Sequence, residues 1–311
     1  MQKTLWTILV LTSLLAKVPA VEASTLTATQ NLSFGTLIPL TTSGSVSVSM
    51  TGALTTGGSV SVAPSGTSYY QGLMNFRATG LSAVLEIVTV TVVDSSVTLT
   101  NSTPGGGTVT VNNFVTNNSL SVNLLNPNIN NIPLGGTMNF TSASKGGTYT
   151  GTVNVRTNGL LSGTTNAAVP ITLTLWNSLT ISQVRGLNFG AFERLAGNSV
   201  VRLNPATSQR TVVSGASGVN LVSSPTPTSG QFSLSGQPNT NVSVSLPTSV
   251  TLTGSKGGTM TVNNFTASPG STSVTLNSSG NRTLLVGADL NIGAAQTTGT
   301  YSGTYNLTVN Y

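Results

Sequence analysis

The chain repeats itself, and each repeat is written in steps of two. Gly147-Thr148-Tyr149-Thr150-Gly151-Thr152 returns 152 residues later as Gly299-Thr300-Tyr301-Ser302-Gly303-Thr304. The run Ser96-Val97-Thr98-Leu99-Thr100 recurs unchanged at 249–253. Residues 106–114 recur at 257–265 with Met260 as the one change. Leu32-Ser33-Phe34-Gly35-Thr36-Leu37 is matched by Leu187-Asn188-Phe189-Gly190-Ala191-Phe192. These motifs keep the same order in both halves, which marks a tandem duplication with units at 24–158 and 177–311. Residues 159–176 fall between the units as a linker plus an extra strand.

Within each unit apolar residues alternate with Ser, Thr and Asn, as in VTVTVV at 88–93, ITLTLW at 171–176 and TYNLTVNY at 304–311. A strand sends alternate side chains to opposite faces, so this period buries Val and Leu while hydroxyls and amides face water. Gly, Pro and Asn punctuate the runs. The expected fold class is all-β: two tandem antiparallel Ig-like β-sandwiches. Asn158 to Ala168 reads as a loop, and Pro170 opens a strand over 171–176. That strand has no evident counterpart beyond Tyr311. Either the first domain has one extra strand, or 170–183 is shared between the domains.

Composition removes most chemistry. The chain has no Cys and no His, 5 acids and 11 basic residues. There is no disulfide framework, no thiolate, no Ser-His-Asp triad and no ordinary zinc site. No two acids lie close enough in sequence to suggest a glycosidase pair. Neither a cofactor nor a metal is expected. The formal charge is +6, but Arg185, Arg194, Arg202 and Arg210 are spread too widely for a nucleic-acid stripe. The charges read as scattered and solvated.

Residues 1–23 read as a secretory signal peptide. Lys3 supplies the positive end, residues 5–15 the apolar run, and Val21-Glu22-Ala23 the cleavage site, with Val18-Pro19-Ala20 as the competing one. The apolar run is short of the roughly 20 residues a membrane helix needs. The expected product is exported, to the periplasm, the outer surface or the medium, with no transmembrane segment in the mature chain.

Each unit opens on Leu-x-Phe-Gly and closes on Gly-Thr-Tyr-x-Gly-Thr followed by an alternating strand. With these motifs the chain resembles the bacterial domain of unknown function 4402 family, present twice. It is similar to spore coat U and chaperone–usher pilin subunits. The resemblance implies secreted Ig-like or pilin-like sandwiches, a surface or fibre role and no enzyme activity.

The motif residues have structural readings. Phe34 and Phe189 plug the end of the core, beside Gly35 and Gly190 at a bend or positive φ. Tyr149 and Tyr301 turn their rings inward and need a hydroxyl partner. Gly151 and Gly303 suggest a bulge or a close backbone approach. The pilin resemblance further implies a strand-addition edge on the last strand, where Tyr305, Leu307, Val309 and Tyr311 share a face. Against that, the residues between the cleavage site and Gly35 match the first strand of the second unit. No N-terminal donor strand is spare, which favours two self-complete domains over strand-donated polymers.

The leading functional reading is a non-enzymatic structural or adhesive protein of a cell surface or fibre, acting through sandwich edges and loops. It would associate with itself or with other envelope proteins. The alternatives are a carbohydrate- or ligand-binding module, with Tyr69, Tyr70 and Trp176 as stacking candidates, and a pilin-like subunit joined by strand donation.

Overall fold

The computed structural model describes residues 23–83 and 85–311. The signal-peptide reading, apart from Ala23, lies outside the described residues. The chain divides into two compact units at Trp176/Asn177. Both are built from strands, with two short 3-10 turns the only helical elements among the described residues.

In the first unit the sheet runs, in spatial order, Thr25–Gln30, Gly72–Arg77, Asn128–Phe140, Thr108–Thr116, Ser96–Asn101, Gly147–Gly159, Gly163–Leu175, Leu32–Pro39 and Val60–Val62. Thr25–Gln30 and Leu32–Pro39 are separated in sequence by Asn31 alone, yet stand near opposite ends of this order. The sheet therefore rolls over on itself and encloses one core. That core takes Leu26, Phe76 and Met74 from one end and Leu32, Phe34 and Leu37 from the other. Alternation drives the burial. Along Leu85–Val92, Val88 and Val90 point inward while Thr89 and Thr91 face solvent.

The second unit repeats this plan in pieces. One sheet runs Thr180–Arg185, Gly230–Ser235, Asn281–Ile292, Thr259–Ser268, Ser249–Gly254 and Tyr301–Ser302, with Ser199–Leu203 also on Asn281–Ile292. Asn241–Ser245 lies between Ser273–Thr275 and Thr308–Asn310 in a second sheet, and Ala191–Arg194 pairs with Val219–Val222 in a third. Its core is two clusters, one around Phe232, Leu234 and Leu284, the other around Phe189, Leu203 and Leu290.

The shared Val-Asn-Asn-Phe motif encodes a β-bulge. The register slips between Asn112 and Val115 in the first unit and between Asn263 and Thr266 in the second. Asn113 and Asn264 take φ of 48° and 49°. Asn is among the few side chains that enter this left-handed region readily.

The structure differs from the sequence reading at Asn158–Ala168. The expected loop shrinks to a turn over 160–162, flanked by a hairpin in which Gly147–Gly159 pairs residue for residue with Gly163–Leu175. Small and polar residues (Thr164, Thr165, Asn166, Ala167) carry the start of this second strand. They hide its alternation while still filling the ladder.

Candidate functional site

The opening motif ends both cores. Phe34 is fully buried and Phe189 nearly so. Gly35 and Gly190 follow at φ of 74° and 77°. A Cβ at Gly35 would sit 2.9 Å from the Thr67 carbonyl oxygen, and one at Gly190 would sit 2.7 Å from that of Pro225. Both the turn and the close approach exclude a side chain. Ser33 Oγ and Asn188 Oδ1 accept the N–H of Gly35 and Gly190, at 3.1 and 2.8 Å.

The closing strands share a sequence pattern but not an environment. Tyr149 is fully buried, its hydroxyl 2.7 Å from the carbonyl oxygens of both Gly106 and Lys145. Gly151 keeps register with Ile171, without a bulge, and a Cβ there would meet Leu99 Cδ2 at 2.7 Å. Val153, Val155 and Thr157 continue the buried row. In the second unit the same positions are Tyr301, Gly303, Tyr305, Leu307 and Val309. Gly303 is exposed and the other four are half-buried, as is Tyr311. The strand is also broken. Tyr301–Ser302 and Thr308–Asn310 are paired, and 303–307 lies outside any strand.

The difference follows from one element. In the first unit Gly163–Leu175 runs antiparallel to the closing strand and parallel to the opening strand, Leu32–Pro39. It seats Ala167, Val169, Ile171, Leu173 and Leu175 in the core. Among the described residues the second unit has no strand in this place. Leu32 and Leu37 are fully buried, whereas Leu187 and Phe192 are half-buried. The strand Ala191–Arg194 pairs on one side, with Val219–Val222. An apolar row on the opening segment and another on the closing strand thus flank a place where the first unit carries a strand.

Within this region Tyr305 packs against Phe265 and Phe232, with ring centroids 5.3 and 6.1 Å away. Its hydroxyl is buried without a hydrogen-bond partner, and burial pushes its pKa up to about 12. Tyr311 donates to the Asn177 carbonyl at 2.5 Å and accepts from the Gln237 N–H at 2.6 Å. Arg210 donates to the carbonyls of Phe189, Ala191 and Val222 and lies 5.4 Å from the centre of the Phe192 ring. It braces the opening segment from the occupied side. The sequence aligns Leu187 and Phe192 with Leu32 and Leu37 but gives no sign that the second pair is half-buried, and it gives Arg210 only as one of the scattered charges.

The remaining candidates are dispersed. The acids are engaged separately: Glu86 by Leu161 and Ser162 N–H, Asp94 by Asn154, Glu193 by Asn220 and Asp289 by Arg202. Tyr69 is exposed, and Tyr70 and Trp176 are half-buried. No helix among the described residues is long and apolar enough to cross a membrane.

The family model for the Domain of unknown function (DUF4402) matches the chain twice, over residues 25–158 and 179–311. The chain belongs to this family. Each DUF4402 match includes a closing strand, and Gly163–Leu175 lies outside both. No curated protein matches the sequence. Solved structures give distant likenesses. The CsuC–CsuE chaperone–tip adhesion subunit pre-assembly complex from archaic chaperone–usher Csu pili of Acinetobacter baumannii shares 13% identity over 76% of this chain and 89% of that one, with a TM-score of 0.31. A chaperone–tip adhesin complex of CFA/I fimbriae biogenesis shares 11% identity over 93% of this chain and 90% of that one, with a TM-score of 0.24. A tetra-tandem repeat from the extending region of a large adhesion protein shares 11% identity over 93% of this chain and 74% of that one, with a TM-score of 0.18.

Proposed function

We propose that this DUF4402 protein is an exported, non-enzymatic structural or adhesive component of a cell surface or fibre, and that its second repeat takes up a β-strand from a partner. The observation that carries the reading is the contrast between the repeats. A seated Gly163–Leu175 strand accompanies one continuous core, and its lack accompanies a divided core and a broken closing strand. An edge strand with unpaired N–H and C=O groups beside an apolar row is a template for strand addition. Tyr305, Leu307, Val309 and Tyr311 form the receiving row on the closing strand, and Leu187 and Phe192 the row on the opening segment. The incoming strand alternates apolar and polar residues, runs antiparallel to the closing strand, and comes from another subunit or envelope protein.

A peptide with the sequence of residues 163–175 tests this. The first repeat's own copy is tethered by the 160–162 turn at an effective concentration on the order of millimolar, so added peptide is directed to the second repeat. The expected result is saturable binding of labelled peptide and a second repeat that unfolds at higher temperature. At a hundredfold excess over Kd the stabilisation is about 2.7 kcal/mol. A peptide of the same composition with its alternation scrambled should do neither. If neither peptide binds and the second repeat melts cooperatively as a monomer, strand uptake is wrong.

A further inference from the structure

The first repeat presents leucine at one end. Strand pairing gathers there the start of Leu85–Val92, the end of Ser119–Asn123 and the turn between Gly147–Gly159 and Gly163–Leu175. Leu85 lies opposite Asn123, and Asn158 opposite Thr89. At this end Leu125 is 98% exposed, Leu160 95%, Ile87 71%, Leu85 70%, Leu124 69% and Leu161 51%. Single exposed aliphatic residues need no explanation, but five leucines and an isoleucine at one end do.

Both turns are held from within. Asn123 Oδ1 accepts the N–H of Leu125 and of Asn126, at 3.0 and 2.9 Å. The buried Glu86 carboxylate accepts the N–H of Leu161 and of Ser162. The leucines are therefore fixed outward on braced backbone.

The second repeat serves as an internal control. It also caps its turn at this end with an asparagine side chain, two residues further along: Asn277 Oδ1 accepts the N–H of Ser279 and of Asn281, both at 2.9 Å. Ser278 and Ser279 form the tip of that turn, and Leu276 before it is buried. On the neighbouring strands Val122 faces Glu86 in one repeat and Val274 faces Val242 in the other. This register sets Leu85 and Ile87 against Asn241 and Ser243. The strand is thus made with asparagine and serine in place of Leu85 and Ile87, and a capped turn with serines at its tip, so neither element needs exposed leucine to form.

We infer that the leucine-tipped end of the first repeat is a contact surface for an uncharged, hydrocarbon-like material. The chemistry selects this occupant. The apolar residues stand on two turns and on the outer face of a strand, as projections rather than a groove. A flat or yielding apolar surface meets all of them at once, whereas a rigid protein partner would need matching recesses. These turns hold no aromatic ring on which a sugar could stack. The charges near this end include Glu86, which is buried and engaged, Arg77, opposite Asn128, and Arg156, opposite Thr91 and bonded to Asn166. Two separated cations are not the polybasic cluster that draws a protein to anionic headgroups.

The test is adsorption of the protein to octadecyl-coated and to bare silica, followed by quartz-crystal microbalance. L124S/L125S/L160S/L161S leaves Asn123 and Glu86 in place. L85N/I87S alters the strand alone, which keeps the test decisive if the turn variant folds poorly. Both variants carry the wild-type second repeat, so the comparison reads the same whether or not that repeat accepts a strand. The expected result is adsorption to the alkyl surface and not to bare silica. Each variant should lose on the order of tenfold or more in half-saturating concentration, the scale set by several leucines' worth of apolar contact, with unchanged unfolding. Three results would each overturn the inference: equal adsorption of wild type and both variants; a wild-type dimer in solution that the variants abolish, which makes a second copy the occupant; or binding to neutral phosphatidylcholine vesicles without binding to the alkyl surface.

Discussion

Ile171→Ala asks directly whether the strand that distinguishes the two repeats holds the first one together. Ile171 lies mid-strand, opposite Gly151 on the closing strand and level with Leu32 on the parallel opening strand. It is fully buried. Gly151 has no side chain with which to refill the space. Truncating a buried isoleucine to alanine costs about 2–5 kcal/mol, through lost transfer energy and an unfilled cavity. In a domain of this size each kcal/mol moves the midpoint by about 2–4 °C, so the melting transition should fall by roughly 4–20 °C. Trp176 is the single tryptophan among the described residues, and its backbone N–H donates to the Leu37 carbonyl at 2.9 Å. Its fluorescence therefore follows the first repeat, while circular dichroism sums the strands of both. The tryptophan transition should move, and the part of the dichroism transition that does not accompany it should stay in place. A shift below about 2 °C would mean the strand is not seated as described, since even the low end of the cavity cost exceeds that.

Two further perturbations act on the second repeat. Asp289 is buried, receives Arg202 through two hydrogen bonds of 2.7 Å and accepts from Asn264 at 3.1 Å. The Arg202 hydrogen bonds hold its pKa below the usual aspartate value. The folded carboxyl thus binds its proton less tightly than the unfolded one. Its stabilisation is complete above the unfolded pKa of about 3.9 and fades as pH falls through the depressed folded value. Urea midpoints of the second repeat should decline in that acid range, and Asp289→Asn should flatten the decline while lowering the midpoint at neutral pH. Tyr305→Phe removes a buried hydroxyl that has no partner. The variant should be neutral or up to about 2 kcal/mol more stable in denaturant titrations, because that is the scale of an unsatisfied buried group. In the wild type, absorbance at 295 nm should show one phenol ionising at about pH 12.

The period-two alternation made the architecture legible, since inward Val and Leu and outward Ser and Thr leave a chain few folds other than strands. The bulge was present in the sequence as Val-Asn-Asn-Phe in both repeats, but a bulge is a register event and shows only once the partner strand is known. The completing strand was half-seen. Ile171 to Trp176 alternates plainly, while Gly163 to Ala168 resembles a loop because its inward positions are small. The apolar row Tyr305, Leu307, Val309 and Tyr311 was readable from spacing alone, but its half-burial was not, since that depends on a neighbouring strand distant in sequence. The leucine-tipped end was invisible for a similar reason. Leu85, Leu125 and Leu160 are far apart in the chain, and only strand register brings them to one end.

The duplication is what makes both functional readings arguable without a bound partner. Each repeat supplies the background against which the other departs. Where the second repeat has no such strand among the described residues, the first carries one, with its direction and inward side chains on view. Where the first repeat carries exposed leucines, the second has asparagine and serine on the matching strand and serines at the tip of its own capped turn. The two departures also tend in one physical direction. A missing strand leaves backbone groups and an apolar row seeking a partner, and projecting leucines leave apolar area seeking a surface. In a chain with so few charges, neither is compensated by electrostatic repulsion that would keep copies or surfaces apart. Added Lys or Glu on the solvent face of 304–310, at Thr304 or Asn306, should accordingly suppress self-association. The same charges should leave adsorption through the first repeat unchanged, which separates the two activities in one molecule.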